Sequence, residues 1–475
     1  MTRAAAPAAL AASVPALWAE VTRAVTDGAR LADLFATARP DGLLLTARLV
    51  AGAEVSALEV MLPPGPARYP ALTPCLPAAF WYEREIHDLF GIVPEGHPRL
   101  QPLLRPPGVL PAHVAGPGLF TIPHGPVRSG VVESIEYLVE TPGEEIPHLS
   151  MRIFYKHRGI EQRFEGLPPG DGVLLAERVE GTASVAHALA YCHALEQITG
   201  TGIPRGAALI RTVHAELSRL ACHLDVALRL ADGAGLAVAT ARLGWHKERV
   251  LRLVSRLCGS RFGRGVVVPG GVSGPPLIPP AGLLGAVADL DRQVTPDLRL
   301  LMGTASFLDR LRRTGPLRPG RAREHGALGP VGRASGTTDD ARQARPGDAY
   351  EWLPVPVVSR AGGDAMARLE VRVEEIAQSF RLVRQAAGEL AGAAGGPLRA
   401  RCDPADGRAA GWAEAPQGEV LYDVRLESGR IRRCRARSAS FHNLVLMHEV
   451  FAGDVLTDFP FIEASFGLSV AGAAR

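Results

Sequence analysis

Lysine is nearly absent from this 475-residue chain: Lys156 and Lys247 are the only two, and arginine supplies the rest of the positive side chains. With 52 basic against 49 acidic residues the net charge is +3, which gives no electrostatic case for nucleic acid, whose phosphates need a concentrated basic face. The arginine bias accompanies abundant alanine, glycine and proline; it reads as GC-rich coding and carries little mechanistic weight. Paired cysteines are lacking too. Cys75, Cys192, Cys222, Cys258, Cys402 and Cys434 stand far apart with no C-x-x-C. That speaks against an iron–sulfur or zinc site held by this chain alone and for buried thiols in a reducing compartment. No run of about 18 uncharged apolar residues occurs, as a spanning helix would need, and the Ala-rich N-terminus has no signal-peptide pattern. The chain is expected to be soluble, or peripheral through partners. No glycine loop leads into Gly-Lys-Ser/Thr, so neither a nucleotide nor a flavin site is visible.

What is present divides along the chain. Length alone allows two or three domains. Residues 1–100 read as a small α/β unit: a helical Ala/Leu pattern over Pro15–Ala38, then strands Leu43–Val50 and Val55–Leu62 joined by a hairpin loop, AGAE. Taken alone, FWYEREIHDLF from Phe80 is an amphipathic helix that turns Trp81, Ile86 and Phe90 inward and leaves its charges as a solvated face. Seven prolines fall between Pro102 and Pro126 and mark a stiff spacer. The expected domains are therefore 1–110 and 124–475, with a linker over 111–123. Beyond it, Val131–Val139 reads as a half-buried strand. Ile210, Val213, Leu217, Leu220, Leu224 and Leu228 form one helical stripe over 207–230. Glu216, Arg219 and His223 lie on another face of that helix and are expected to pair between helices. Further helices are expected over Leu243–Leu257, ended by Cys258-Gly259, over Leu283–Arg313 and over Arg372–Leu390, with final strands near Val420–Arg425 and Ile431–Arg435.

Two stretches organise the rest: Ala176–Glu196, AERVEGTASVAHALAYCHALE, and Ser465–Arg475, SFGLSVAGAAR. In the first, Gly181, Thr182 and Ser184 offer cap oxygens and turn freedom before an Ala-rich helix. Glu180 beside that helix start has a plain reading as a capping carboxylate. A second reading comes from resemblance. The frame E-R-V…A-H-x-x-A-Y-x-x-A-L-E resembles the first metal-binding segment of the large subunit of membrane-bound NiFe hydrogenases, in which two cysteines stand where Glu180 and Ala183 stand here. DFPFIEASFGLSVAGAAR resembles that family's C-terminal segment, with Ser469 and Gly472 at the other two cysteine positions. EAPQGEVLY carries Gln417 where the family has an arginine over the bimetallic centre. GPVR puts Arg128 where the family has a histidine; an anion or carbonyl binder and a salt-bridge partner are both open readings of it. YKHRGIE matches without substitution. Gly181 falls where complex I has a tyrosine near quinone. The departures gather at one place rather than scattering.

The N-terminal stretch Tyr69–Arg105, with E-R-E-x-x-D-L-F-G-I and G-H-P, resembles the complex I 30 kDa subunit family. Together the two halves resemble the fusion of 30 kDa-like and 49 kDa-like domains found in the energy-converting, formate-hydrogenlyase-like hydrogenase family. The resemblance implies an α+β chain: a small α/β 30 kDa-like domain fused to a mainly α-helical, large-subunit-like domain with small peripheral β-sheets. It implies a subunit of a membrane-associated oxidoreductase complex, cytoplasmic and peripheral on the inner face of the cell membrane, with all four nickel thiolates missing and no cofactor bound by this chain. Soft sulfur ligands are not replaced by Ala and Gly without losing the metal. An iron–sulfur small subunit with a 4Fe–4S cluster and integral-membrane ion-translocating subunits are the expected partners. Electrons would pass from that cluster to a quinone or other small acceptor, with Glu180 or Arg128 as polar anchors. The alternative is a non-catalytic coupling subunit with a collapsed cavity. A new metal site using Glu180 and His187 is a lesser third.

Overall fold

A computed structural model of the protein describes residues 9–65, 67–106, 118–129, 132–392, 395–403 and 405–475. The N-terminal unit is a four-stranded sheet backed by two helices. Its elements are β1 (Ala9–Leu10), α1 (Val14–Thr26), β2 (Arg30–Arg39), β3 (Gly42–Ala51), β4 (Glu54–Leu62) and α2 (Phe80–Phe90), with strand order β1-β4-β3-β2. The β3–β4 hairpin is where the sequence placed it, with Val50 opposite Val55. The helix expected to reach Ala38 stops at Thr26, and the second half of that stretch is β2, antiparallel to β3 from Arg30↔Val50 to Arg39↔Gly42. LADLFATA suits either period, and pairing with β3 decides between them.

α2 corrects a second expectation. Glu83, Arg84, Glu85 and Asp88 are buried, so its charges are not a solvated face. Glu83 accepts from the Leu72 and Thr73 backbone N–H groups at 2.8 and 3.0 Å, and Asp88 from those of Leu103 and Leu104 at 2.6 and 2.7 Å. These carboxylates hold the loops on either side of the helix. Residues 107–117, most of the Pro-rich spacer, lie outside the described residues, as does Val131 of the expected strand.

The body begins with an antiparallel sheet of β5 (Phe120–His124), β6 (Glu136–Thr141) and β7 (His148–Arg152). The strand expected at Val131–Val139 is β6, which starts later and ends later. Five long helices follow: α3 (Ser184–Thr199), α4 (Arg205–Gly233), α5 (Ala237–Cys258), α6 (Pro280–Met302) and α7 (Ala365–Gly392). The apolar stripe of α4 lies in a core shared with α5, α6 and α7. α5 ends as the sequence implied, at Gly259 in the left-handed region (φ 79°). The helix expected over Leu283–Arg313 is broken at Gly303-Thr304, and Ala305–Leu311 forms a separate helix. A second antiparallel sheet, β8 (Gly407–Ala415), β9 (Gly418–Glu427) and β10 (Arg430–Arg437), packs with α3. The last helix is α8 (Val470–Ala474). One apolar cluster includes Trp81 and Tyr82 of α2, Tyr137 of β6, Phe441, and Ala473 and Ala474 of α8, so the N-terminal unit and the chain's end share a core.

All six cysteines are free, but only Cys192, Cys222 and Cys434 are buried; Cys75 is exposed and Cys258 and Cys402 are half-buried.

Candidate functional site

Glu180 is extended (φ −137°, ψ 118°), and one 3₁₀ turn, Gly181–Ala183, then leads into α3. Among the described residues, the residue at the start of that turn and the one at the start of α3 make no side-chain cap. The Glu180 carboxyl accepts from Thr182 Oγ1 (3.2 Å) and Ser440 Oγ (3.4 Å), while Ser184 Oγ donates back to the carbonyls of Glu180 and Gly181. The capping role expected for Glu180, Thr182 and Ser184 is therefore not what they do. Glu180 is 1% exposed. Its Oε2 lies 3.7 Å from His187 Nε2, and His187 Nδ1 is 2.9 Å from the Tyr422 hydroxyl.

The C-terminal segment closes over this carboxyl. A Cβ at position 472 would overlap Glu180 Oε2 and stand 2.9 Å from its Cδ. Only the bare backbone of Gly472 leaves the glutamate its space. Ser469 caps α8, accepting from Gly472 N–H at 3.1 Å, and donates to Glu133 at 2.8 Å. Ser440 joins the two segments: its Oγ accepts from Ser469 N–H (3.0 Å) and reaches Glu180. Ala183 is wholly buried in the core between α3 and the β8–β10 sheet.

Gln417 approaches from the β8–β9 turn. Its Nε2 donates to Thr182 Oγ1 (3.2 Å) and to Cys222 Sγ (3.3 Å), while its Oε1 has no hydrogen-bond partner among the described residues. The structure thus gathers Glu180, Gly181, His187, Gln417, Ser469 and Gly472. Arg128 sits at the edge, ion-paired to Glu463 (2.8 Å), stacked over Tyr137 and reaching toward the group at the Glu133 carbonyl, 3.5 Å away.

Beside Thr182 opens a cleft of about 260 Å³ between one face of α4, α5 and Phe262. Burial drives the His214 imidazole down to about 4 and, against the pull of Arg372, the Cys222 thiol up to about 12. Both line the cleft as neutral groups near pH 7. Larger hollows of about 530 and 540 Å³ lie elsewhere, one near Arg399 and Cys402 and one beside Arg39 and Arg432.

Behind the cleft the other face of α4 does what its sequence implied. His223 Nε2 and Arg333 both reach Glu375, at 2.8 and 2.7 Å, and Arg342 reaches Glu216 at 3.3 Å. The sequence reading overlooked Thr182, Ser440, Tyr422, Cys222 and His214 as neighbours of the site. One clue was available: His214, Ser218 and Cys222 recur every four residues, a line along one face of α4 apart from its apolar stripe and from Glu216, Arg219 and His223.

Sequence comparison supplies the family. The chain belongs to the family of the respiratory-chain NADH dehydrogenase 49 Kd subunit, whose sequence model matches residues 237–401 and 398–475. The model of the 30 Kd subunit matches residues 15–117. Formate hydrogenlyase subunit 5 of Escherichia coli (strain K12) is 28% identical over 430 residues, which is 84% of this chain and 75% of that protein. An NADH-quinone oxidoreductase subunit of Gluconacetobacter diazotrophicus is 26% identical over 490 residues, 88% of this chain and 81% of that one. Among solved structures, a chain of the membrane-bound sulfane sulfur reductase, an archaeal respiratory membrane complex, shares the fold. It superposes with a TM-score of 0.70 at 24% identity, covering 75% of this chain and 99% of that chain. No helix among the described residues is long and apolar enough to cross a membrane.

Proposed function

We propose that this chain is the large peripheral subunit of a membrane-associated oxidoreductase complex in which the nickel–iron centre of the hydrogenase relatives is lost. It passes electrons from a 4Fe–4S cluster in a neighbouring small subunit to a quinone or other small acceptor. The chain sits peripherally on the inner, cytoplasmic face of the cell membrane, and integral-membrane partners couple that transfer to ion movement. Family membership and the named relatives support the assembly.

One observation supports the loss of the metal: the Glu180 carboxyl fills the space beside Gly472. By resemblance, the nickel of a nickel–iron centre is held by four thiolates, soft donors that a carboxyl and a hydroxyl do not replace. Glu180, Ala183, Ser469 and Gly472 offer one carboxyl and one hydroxyl, both already hydrogen-bonded within the chain. That donor set does not fit nickel, and hydrogen turnover is not expected. A metal held by Glu180 and His187 is no better supported, since no group of three His, Cys, Asp or Glu side chains among the described residues is placed to hold an ion. The second reading, a non-catalytic coupling subunit, draws support from the same sealing of Glu180.

The test is metal analysis and acceptor-dependent turnover on the affinity-purified native complex, with hydrogen production as the control. The expected result is iron at cluster stoichiometry, no nickel, and acceptor reduction that falls in Glu180→Ala. Iron without turnover would establish the coupler instead, and one nickel per complex would overturn the reading of the lost ligands.

A further inference from the structure

We propose that His193 is a buried imidazolium that latches the 3₁₀ turn Asp348–Glu351 onto α3 and β8, and that losing its proton as pH rises releases the turn. Neither a metal nor an electron acceptor enters this latch.

What the two ring nitrogens face fixes the proton. β8 has a strand beside it on one side only, and α3 packs against it so closely that a Cβ at Gly411 would overlap the Ala190 carbonyl. There His193 Nδ1 lies 2.8 Å from the Trp412 carbonyl, which only accepts, so Nδ1 carries a hydrogen. Nε2 lies 2.9 Å from Asp348 Oδ2. Arg211 of α4 stands 3.2 Å from the other oxygen and keeps that carboxyl ionised, and an ionised carboxylate also only accepts. Both nitrogens therefore donate, and a ring with two N–H groups is charged.

The charges around the ring agree. Arg211 also pairs with Glu196, one turn along α3 from His193, at 2.6 Å. With an imidazolium, two cations meet two carboxylates in this buried group; with a neutral ring, one negative charge is left uncompensated. Burial works against the charge on His193, but Asp348 and Glu196 outweigh burial and Arg211 and hold the ring above its ordinary value. The other charged groups beside it, Arg342, Arg345 and Glu414, line one small cavity of about 20 Å³ with it. Each has its own counter-ion: Asp340 at 2.7 Å, Glu419 at 2.8 Å and Arg333 at 2.9 Å. Asp348 is left as the partner of His193.

The turn needs the latch. Asp348 has a left-handed backbone (φ 52°), which a residue with a Cβ keeps only where its surroundings hold it. The Ala349 N–H donates to Thr212 Oγ1 at 3.2 Å, and the Tyr350 hydroxyl donates to Glu216. A neutral His193 has one hydrogen for two acceptors. With the hydrogen kept on the Trp412 side, a bare nitrogen faces the Asp348 carboxylate and the two repel. Release of the turn takes Tyr350 from Glu216, so pH reaches the charged network behind the candidate site.

Because the folded value is raised, the latch is fully set below about pH 6.5, where an unfolded histidine titrates, and is lost as pH rises through the folded value. The experiment is amide hydrogen exchange of the affinity-purified native complex between about pH 6 and 9, read by mass spectrometry on peptides over residues 347–353 as protection factors. Protection is expected to hold up to about pH 6.5, to fall by as much as tenfold per pH unit above it, and to level once the folded ring is neutral. Peptides of α5 should stay level throughout. His193→Gln cannot titrate and should give a flat profile at lower protection. Asp348→Asn keeps a side chain that tolerates the left-handed region but removes the counter-ion, so the fall above about pH 6.5 should vanish. A flat profile in the parent, a fall shared equally by α5, or a fall that persists in either variant would overturn the proposal.

Discussion

Where the N-terminal unit meets the body, Arg435 pairs with Glu85 (2.7 Å), Asp33 (2.8 Å) and Glu161 (3.2 Å), and Arg475 reaches the same Glu85 and Glu161 at 2.7 and 2.8 Å. Arg30 of β2 spans from Glu419 (3.0 Å) to Asp339 (3.2 Å), and Arg345 joins Glu419 to the Gly52 carbonyl. Around Glu180 the picture differs. A carboxyl equally buried meets two hydroxyls and an imidazole at 3.2–3.7 Å. Among the described residues His187 Nε2 and Gln417 Oε1 find no hydrogen-bond partner, and neither do Arg30 Nε and Arg345 Nε of the first region. Both regions are buried and polar, but the first matches guanidinium to carboxylate at short range, and such pairs hold two surfaces in one arrangement. The second gives its carboxyl no guanidinium among the described residues, only hydroxyls and an imidazole, so it is the more loosely matched of the two.

Breaking the matched region should do the most damage. Arg435→Met removes a guanidinium that is fully buried and leaves Asp33 with no cation in its place. Losing one partner of a buried ion pair costs about 3–5 kcal/mol. The expected outcome is a lower urea midpoint for the purified complex and early proteolytic release of the N-terminal unit. A midpoint unchanged from the parent would mean that the apolar core shared by α2 and the chain's end, not the ion pairs, holds the two together.

Titration should loosen the same seam more gently. Burial works to raise Asp423, but Arg48 of β3 and Arg408 of β8 outweigh it and hold the carboxyl at about 2. An unfolded aspartate titrates near 3.9. With the folded value depressed, the unfolded chain takes up its proton first. The stabilisation is present above about pH 4 and is lost as pH falls through about 2, a change of about 2.6 kcal/mol. Urea midpoints followed down this range should show that slope in the parent, and Asp423→Asn should flatten it.

How far each region could be read beforehand follows from what carries it. The β3–β4 hairpin, the α4 stripe and the Gly259 end of α5 are local patterns, and they stand where periodicity and turn residues put them. β8 was not foreseen because GRAAGWAEA holds neither alternation nor a β-branched residue; pairing with β9 makes it a strand. The charges of α2 read as solvent-facing because nothing near them in sequence says that Arg435 and Arg475 arrive from the far end of the chain. At the candidate site the residue identities were legible through resemblance, but the contact between Glu180 and Gly472 was not. A glutamate and a glycine so distant in sequence show no sign of sharing one volume until both segments are folded.

That contact gives the most selective test of the second region, though the smallest in energy. Gly472 needs no unusual backbone, so alanine there brings a steric problem alone: its Cβ enters the volume of Glu180 Oε2. The helix cannot simply withdraw, because Ser438 Oγ holds the Gly472 carbonyl at 2.7 Å and Glu133 holds Ser469 at 2.8 Å. Glu180 must therefore swing away from Thr182 and Ser440 inside a packed interior, at about 1–2 kcal/mol. Glu180→Ala removes the obstacle, so the double variant should be more stable than Gly472→Ala alone by about that amount, a coupling readable in a double-mutant cycle. If the two effects simply add, the carboxyl does not occupy that space in solution, and the site is more open than the close approach of Glu180 to Gly472 implies. Coupling of the expected sign would mean that the C-terminal segment and Glu180 are fitted to each other in solution.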